Sequence, residues 1–152
     1  MGKKTRCRIL EARPIITLFE CRGWTPLASQ LVVAWREGRI ATMIDLVLYD
    51  ENQEEIIIVE IKSGCEYRNL STGSKLKYLK ENVTDAPIHQ HQLQVLLGKE
   101  LFQRTYPDCK KKVRALLVYI SKEGDLDVIE EEDFQIHYEN NTVGKAIIDT
   151  AH

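Results

Sequence analysis

Ile56, Ile57, Ile58 and Val59 form an unbroken apolar run inside Glu54 to Lys62, and that run constrains the fold more than any other stretch. A strand with one wet face alternates polar and apolar residues. A short continuous apolar run is instead expected of a strand covered on both faces. Two charges then follow, Glu60 and Lys62. The period of two puts them on one face of the strand with Ile61 on the other. The preceding strand-like run, IATMIDLVLY, carries Asp45, and the turn-prone stretch Asp50 to Glu55 joins the two. If the two strands pair as a hairpin, Asp45 joins the face of Glu60 and Lys62. Charges are placed in apolar strands when they are paired or bind a metal. Two carboxylates and an ammonium converging on one point therefore make a site for a hard divalent cation and a polarised water.

Around this hairpin the reading is one domain over 1–152. A chain of 152 residues with 43% hydrophobic content holds one sizeable core. Residues Ile9 to Cys21 read as helix or strand, interrupted by Pro14, and Gly23 with Pro26 marks a turn. Leu27 to Trp35 and Arg39 to Tyr49 read as strands about a tight turn at Glu37-Gly38. Ser63 to Asp85 is polar and loop-like, with a short helical piece around Lys75 to Lys80. Thr84 or Asp85 as cap and Pro87 in the first turn open a helix that runs to about Arg104 and stops before Pro107. Val113 to Ser121 and Leu126 to Ile129 are two further strands, and the tail from Asn140 either forms a last helix from Thr142 or frays. The expected class is α/β.

Asp45, then Glu60-Ile61-Lys62, then a helix carrying Gln94, resembles the PD-(D/E)XK nuclease superfamily. Within it the chain is most similar to the RecB and lambda-exonuclease branch, with the mitochondrial genome maintenance and viral exonucleases. Those families share a G-x-x-D-like strand, an E-x-K-[ST]-[GS] signature and a Q-x-x-x-Y helix. The corresponding pieces here are TMIDLV, VEIKSG and HQLQVLLG, spanning roughly Trp24 to Phe102, with Gly98 where the family has tyrosine. The resemblance implies a restriction-endonuclease-like core, a central mixed sheet of four to five strands flanked by helices. It also implies metal-dependent hydrolysis of DNA, exonuclease-like, in repair or recombination, and a homo-oligomer of the kind that lambda-type relatives form.

In that reading Asp45, Glu60, Lys62 and Gln94 are catalytic. Mg²⁺ or Mn²⁺ is held by Asp45, Glu60 and the Ile61 carbonyl, and acts as a Lewis acid that activates water. Lys62 orients that water or stabilises developing negative charge. An acid is expected on the element before the Asp45 strand, and Gln30 in TPLASQLVV stands in its place. Gln30 offers a neutral oxygen to the metal, with Glu20 or Glu37 as acids from elsewhere. The basic residues Lys75, Lys77 and Lys80 are expected to contact DNA; His91 is a candidate contact to DNA or to the metal site, with a solvent-facing histidine as the favoured account. A net charge of −2 leaves a DNA substrate open, because bound cations offset the acids against phosphate. Two other readings stand beside this one: a junction-resolvase-like endonuclease, and a nuclease-fold module that binds DNA or a partner protein without cutting.

Cys7, Cys21, Cys65 and Cys109 show no metal-ligand spacing, and no apolar run is long enough to span a bilayer. No secretory segment is visible, and Arg6 occupies the position where a myristoylation signal needs Ser or Thr. The expectation is an intracellular protein with reduced thiols, cytoplasmic or nuclear or in an organelle, with no membrane partner.

Overall fold

The computed structural model describes residues 15–76 and 83–136. Its five strands are β1 (Trp24–Trp35), β2 (Ile40–Asp50), β3 (Glu55–Ser63), β4 (Lys112–Ile120) and β5 (Leu126–Glu130). Residues 15–22 are helical (α1), Pro87–Thr105 forms α2, and Glu131–Asp133 makes one 3-10 turn. The strands lie in sequence order in one mixed sheet. All neighbours are antiparallel except β3 and β4, which are parallel. Parallel neighbours cannot be joined by a tight turn, so the chain has to cross a face of the sheet between them. The loop after Ser63 and α2 make that crossing.

The continuous apolar run becomes the middle of the molecule. On β3, Ile56 and Ile58 pack with Val95, Leu96 and Leu101 of α2. Ile57 and Val59 pack on the other face with Ile15 and Phe19 of α1 and with Trp24. All four are buried, and each such side chain stabilises the fold by about 1.5–3 kcal/mol. β4 repeats the pattern, with Ala115 and Leu117 towards α2 and Leu116 and Val118 towards α1. The two helices thus cover the two faces of an α/β sheet, and Ile9 to Cys21 resolves as helix over its described part.

Two local expectations differ from the structure here. Pro26 lies within β1 rather than in a turn; β1 is an edge strand, where a missing N–H removes no ladder bond, and the register shifts between Pro26 and Ala28. Gly23 alone makes the stop after α1, at φ 70° with its N–H on the Glu20 carbonyl. The cap of α2 is Ala86, with no side-chain cap bond. Thr84 and Asp85 are occupied otherwise, Thr84 with His89 and Asp85 with Gln90 Nε2 at 2.6 Å.

Lys75, expected at the start of a short helical piece, is instead extended and bridged to Thr84, while Lys77, Lys80, Cys7 and the segment from Asn140 lie outside the described residues. Among the described residues no helix is long and apolar enough to cross a membrane.

Candidate functional site

The β2–β3 ladder runs from Asp50↔Glu55 up to Leu46↔Val59 and ends there. One step further Asp45 would face Glu60. Instead, the Asp45 carboxylate takes the place of a ladder partner: its Oδ2 accepts the Ile61 N–H at 2.9 Å. Burial along β2 changes parity at the same point, from Ile40 and Ile44 to Val47, all three in the α2-side core. Across the other edge of β2, Gln30 of β1 stands opposite Asp45 between the pairs Ser29↔Leu46 and Leu31↔Ile44. Its φ is 49°, a left-handed conformation uncommon for a side chain other than glycine. Three strands are therefore distorted or parted at one level, the level of Asp45.

Glu60 follows the α2-facing residues of β3 and is only 6% exposed. Its Oε1 receives Lys62 Nζ at 3.2 Å and Gln94 Nε2 at 3.1 Å. Burial raises the Glu60 pKa, and the neighbouring Asp45 carboxylate raises it further against the opposing pull of Lys62. Asp45, Glu60, Lys62 and Gln94, named from sequence as one group, are thus brought together. Gln94 reaches Glu60 because α2 crosses this face, with the Ile44 and Ile58 side chains directly beneath Gly98. A Cβ at Gly98 would stand 3.3 Å from Ile44 Cγ1, so the place where the resembling motif has tyrosine is the contact point of helix and sheet.

Gln30 behaves differently. Its side chain is exposed and, among the described residues, makes no hydrogen bond to the Asp45–Glu60 group. Glu20 and Glu37 are exposed as well. Lys75 is exposed in the loop that leads to α2. His91 is half-buried rather than solvent-facing, with Nδ1 2.8 Å from the Tyr119 hydroxyl. Burial and the charge of Lys62 lower its pKa.

Tyr119 and Arg68 belong to this region and were not read from sequence. Tyr119 is the β4 neighbour of Lys62 in the parallel register, and the Arg68 guanidinium lies 4.1 Å from its ring centroid. The usable signal was positional: the last residues of two parallel strands rim the same crevice, where open α/β sheets bind ligands.

Two crowded carboxylates and a backbone carbonyl are hard oxygen donors, and a lysine beside them can meet an anionic oxygen. Among the described residues no three His, Cys, Asp or Glu side chains form a metal-holding group. The cavity of about 590 Å³ lined by Asp50, Glu55, Lys99, Arg114, Glu130 and Glu131 lies at the other end of β3 and includes none of the site residues. Against protein-family models and curated protein sequences the chain has no match.

Proposed function

We propose that the chain is a divalent-metal-dependent nuclease that hydrolyses DNA phosphodiester bonds in an exonuclease-like manner, built as a PD-(D/E)XK domain. The observation that carries this reading is the like-charged pair Asp45 and Glu60, held together where β2 and β3 part, with Lys62 and Gln94 on one Glu60 oxygen. A mixed sheet flanked by helices agrees with the architecture that the resemblance implies.

The residues present fit Mg²⁺ or Mn²⁺. Mg²⁺ in phosphate chemistry is held by one or two carboxylates plus water and substrate oxygens, so a third acid is not required. Burial first and the Asp45 carboxylate second raise the Glu60 pKa, and a cation between the two acids would oppose both. Asp45 and Glu60 would hold the ion with the Ile61 carbonyl, and when bound it supplies Lewis-acid activation of water and charge neutralisation. Lys62 pulls against the rise in the Glu60 pKa and offers a positive charge to a scissile phosphate oxygen. Gln94 fixes the Glu60 carboxylate from the helix side. The Ile61 N–H fixes Asp45 from the strand side.

A second reading, a nuclease-fold module that binds DNA without cutting, is favoured by Gln30, which brings no charge to the pair. One experiment separates them. Mn²⁺ is titrated calorimetrically and end-labelled single- and double-stranded DNA are incubated with Mn²⁺. The expected result is a Mn²⁺ heat and metal-dependent cleavage that falls at least about 100-fold in Lys62→Ala and in Asp45→Ala. A Mn²⁺ heat without cleavage selects the binding module. Neither heat nor cleavage, or cleavage untouched by Asp45→Ala, sinks the nuclease reading.

A further inference from the structure

Tyr119 is 2% exposed, and a phenol that far from water needs a partner for its hydroxyl. That partner is His91 Nδ1 at 2.8 Å, with the two rings 5.7 Å apart. The arrangement is held from the outside. Arg68 covers the Tyr119 ring at 4.1 Å and pairs with Asp127, while its carbonyl accepts the Ile88 N–H of α2 at 2.8 Å. His91 is one turn ahead of Gln94 on the same side of α2. Tyr119 stands beside Lys62 in the β3–β4 register. The pair therefore flanks the proposed site without belonging to its oxygen donors.

The proton between them can be placed by elimination. Burial pushes the Tyr119 pKa well up, so the phenol keeps its proton. Burial and Lys62 push the His91 pKa down, so its imidazole is neutral, with one donor and one acceptor nitrogen. If Nδ1 carried the hydrogen, the buried phenol would have to find an acceptor elsewhere. With Nδ1 as acceptor, both groups are satisfied and the hydrogen sits on Nε2.

We propose that Tyr119 is a positioning residue: its hydroxyl, donated to His91 Nδ1, locks that ring as the Nε2–H tautomer, and His91 presents Nε2–H to a phosphate oxygen of the strand being cut. The inference rests on the nuclease reading and goes beyond it by assigning a substrate contact to His91 and its support to Tyr119. A neutral donor next to Lys62 adds a directed hydrogen bond to an anionic oxygen without adding a second positive charge beside the ammonium.

Tyr119→Phe removes the hydroxyl and keeps the ring under Arg68. In the ¹⁵N-labelled protein, the His91 ring is expected to show one Nε2–H tautomer that becomes a tautomer mixture in Tyr119→Phe. An Nδ1–H tautomer in the parent, or spectra unchanged by the substitution, overturns the proposal. In Mn²⁺-dependent cleavage, Tyr119→Phe and His91→Ala should each lower kcat about tenfold with KM little changed, the low end of what losing a supporting hydrogen bond costs. The double variant should be no slower than His91→Ala. Additive losses, or full turnover in Tyr119→Phe while Asp45→Ala is inactive, overturn the proposal alone. A parent protein without metal-dependent cleavage overturns the nuclease reading itself, and the substrate contact with it.

Discussion

Asp50, Glu55 and Glu130 close around Arg114 at one end of the central strands, with contacts of 3.2, 2.9 and 2.8 Å, and Glu131 meets Lys99 beside them at 2.9 Å. At the other end Asp45 and Glu60 meet across parted strands, and Lys62 sits on Glu60 at 3.2 Å. Both ends place acids at the margin of an apolar core, yet Asp50 at one and Glu60 at the other shift in opposite directions. Burial tends to raise the Asp50 pKa, but hydrogen bonds from Gln53, Trp24 and Asn52, with the charge of Arg114, outweigh it and leave the value lowered. For Glu60, burial and Asp45 prevail and the value is raised. Carboxylates surrounded by donors hold a structure together. Carboxylates set against each other are a local liability that a bound cation would turn into affinity.

Breaking the completed end gives the largest expected effect on stability. Arg114→Ala leaves three carboxylates without their shared cation and should cost about 3 kcal/mol in urea unfolding. Metal-dependent cleavage per folded molecule should be unchanged; an equal loss of cleavage would deny that the two ends are independent.

Asp50 has a lowered folded pKa, so its contribution to stability is present above its ordinary 3.8 and is lost as pH falls through the folded value. Glu60 has a raised one, so its contribution is full below its ordinary 4.5 and is lost as pH rises through the folded value. Asp45→Asn keeps an oxygen for the Ile61 N–H and removes the repulsion. Its thermal midpoint should exceed that of the parent at neutral pH, with the gap closing below pH 4.5. A gap that persists in acid would assign the effect to packing.

Gln30→Gly gives the smallest effect. Relief of the left-handed backbone at φ 49°, partly offset by glycine's greater unfolded freedom, should stabilise by about 0.5 kcal/mol. The Mn²⁺ heat should stay as in the parent, since the Gln30 side chain makes no bond to the acidic pair. A weakened heat would return Gln30 to the site.

The sequence carried the approach of Asp45 to Glu60 because strand periodicity and a short turn determine which residues can meet. Gln94 was legible only through the resemblance of HQLQVLLG to a family motif, since spacing places Gln90, His91 and Gln94 on one stripe without singling it out. Tyr119 was not, since KVRALLVYI reads as core to its last residue and a tyrosine next to the strand's end has an ordinary packing explanation. Arg68 was hidden in a polar loop whose partners, Asp127 and the Tyr119 ring, come from the far side of the chain. The Arg114 network was equally out of reach, because its acids come from three strands. At the α2 start two capping side chains were present, but Ala86 holds the cap position, and the Thr84 hydroxyl and Asp85 carboxylate meet His89 and Gln90 instead.

Gly98 works as the fixed jaw of a caliper. It has no side chain, so the stand-off between helix and sheet is measured directly against Ile44 and Ile58. The reading appears one turn earlier, as the 3.1 Å from the Gln94 amide to Glu60. A methyl group at residue 98 would stand 3.3 Å from Ile44 Cγ1, so the Ile44 side chain or the helix has to give by a few tenths of an ångström. The reach of a charged cluster is thus calibrated by a residue that bears neither charge nor polar side chain.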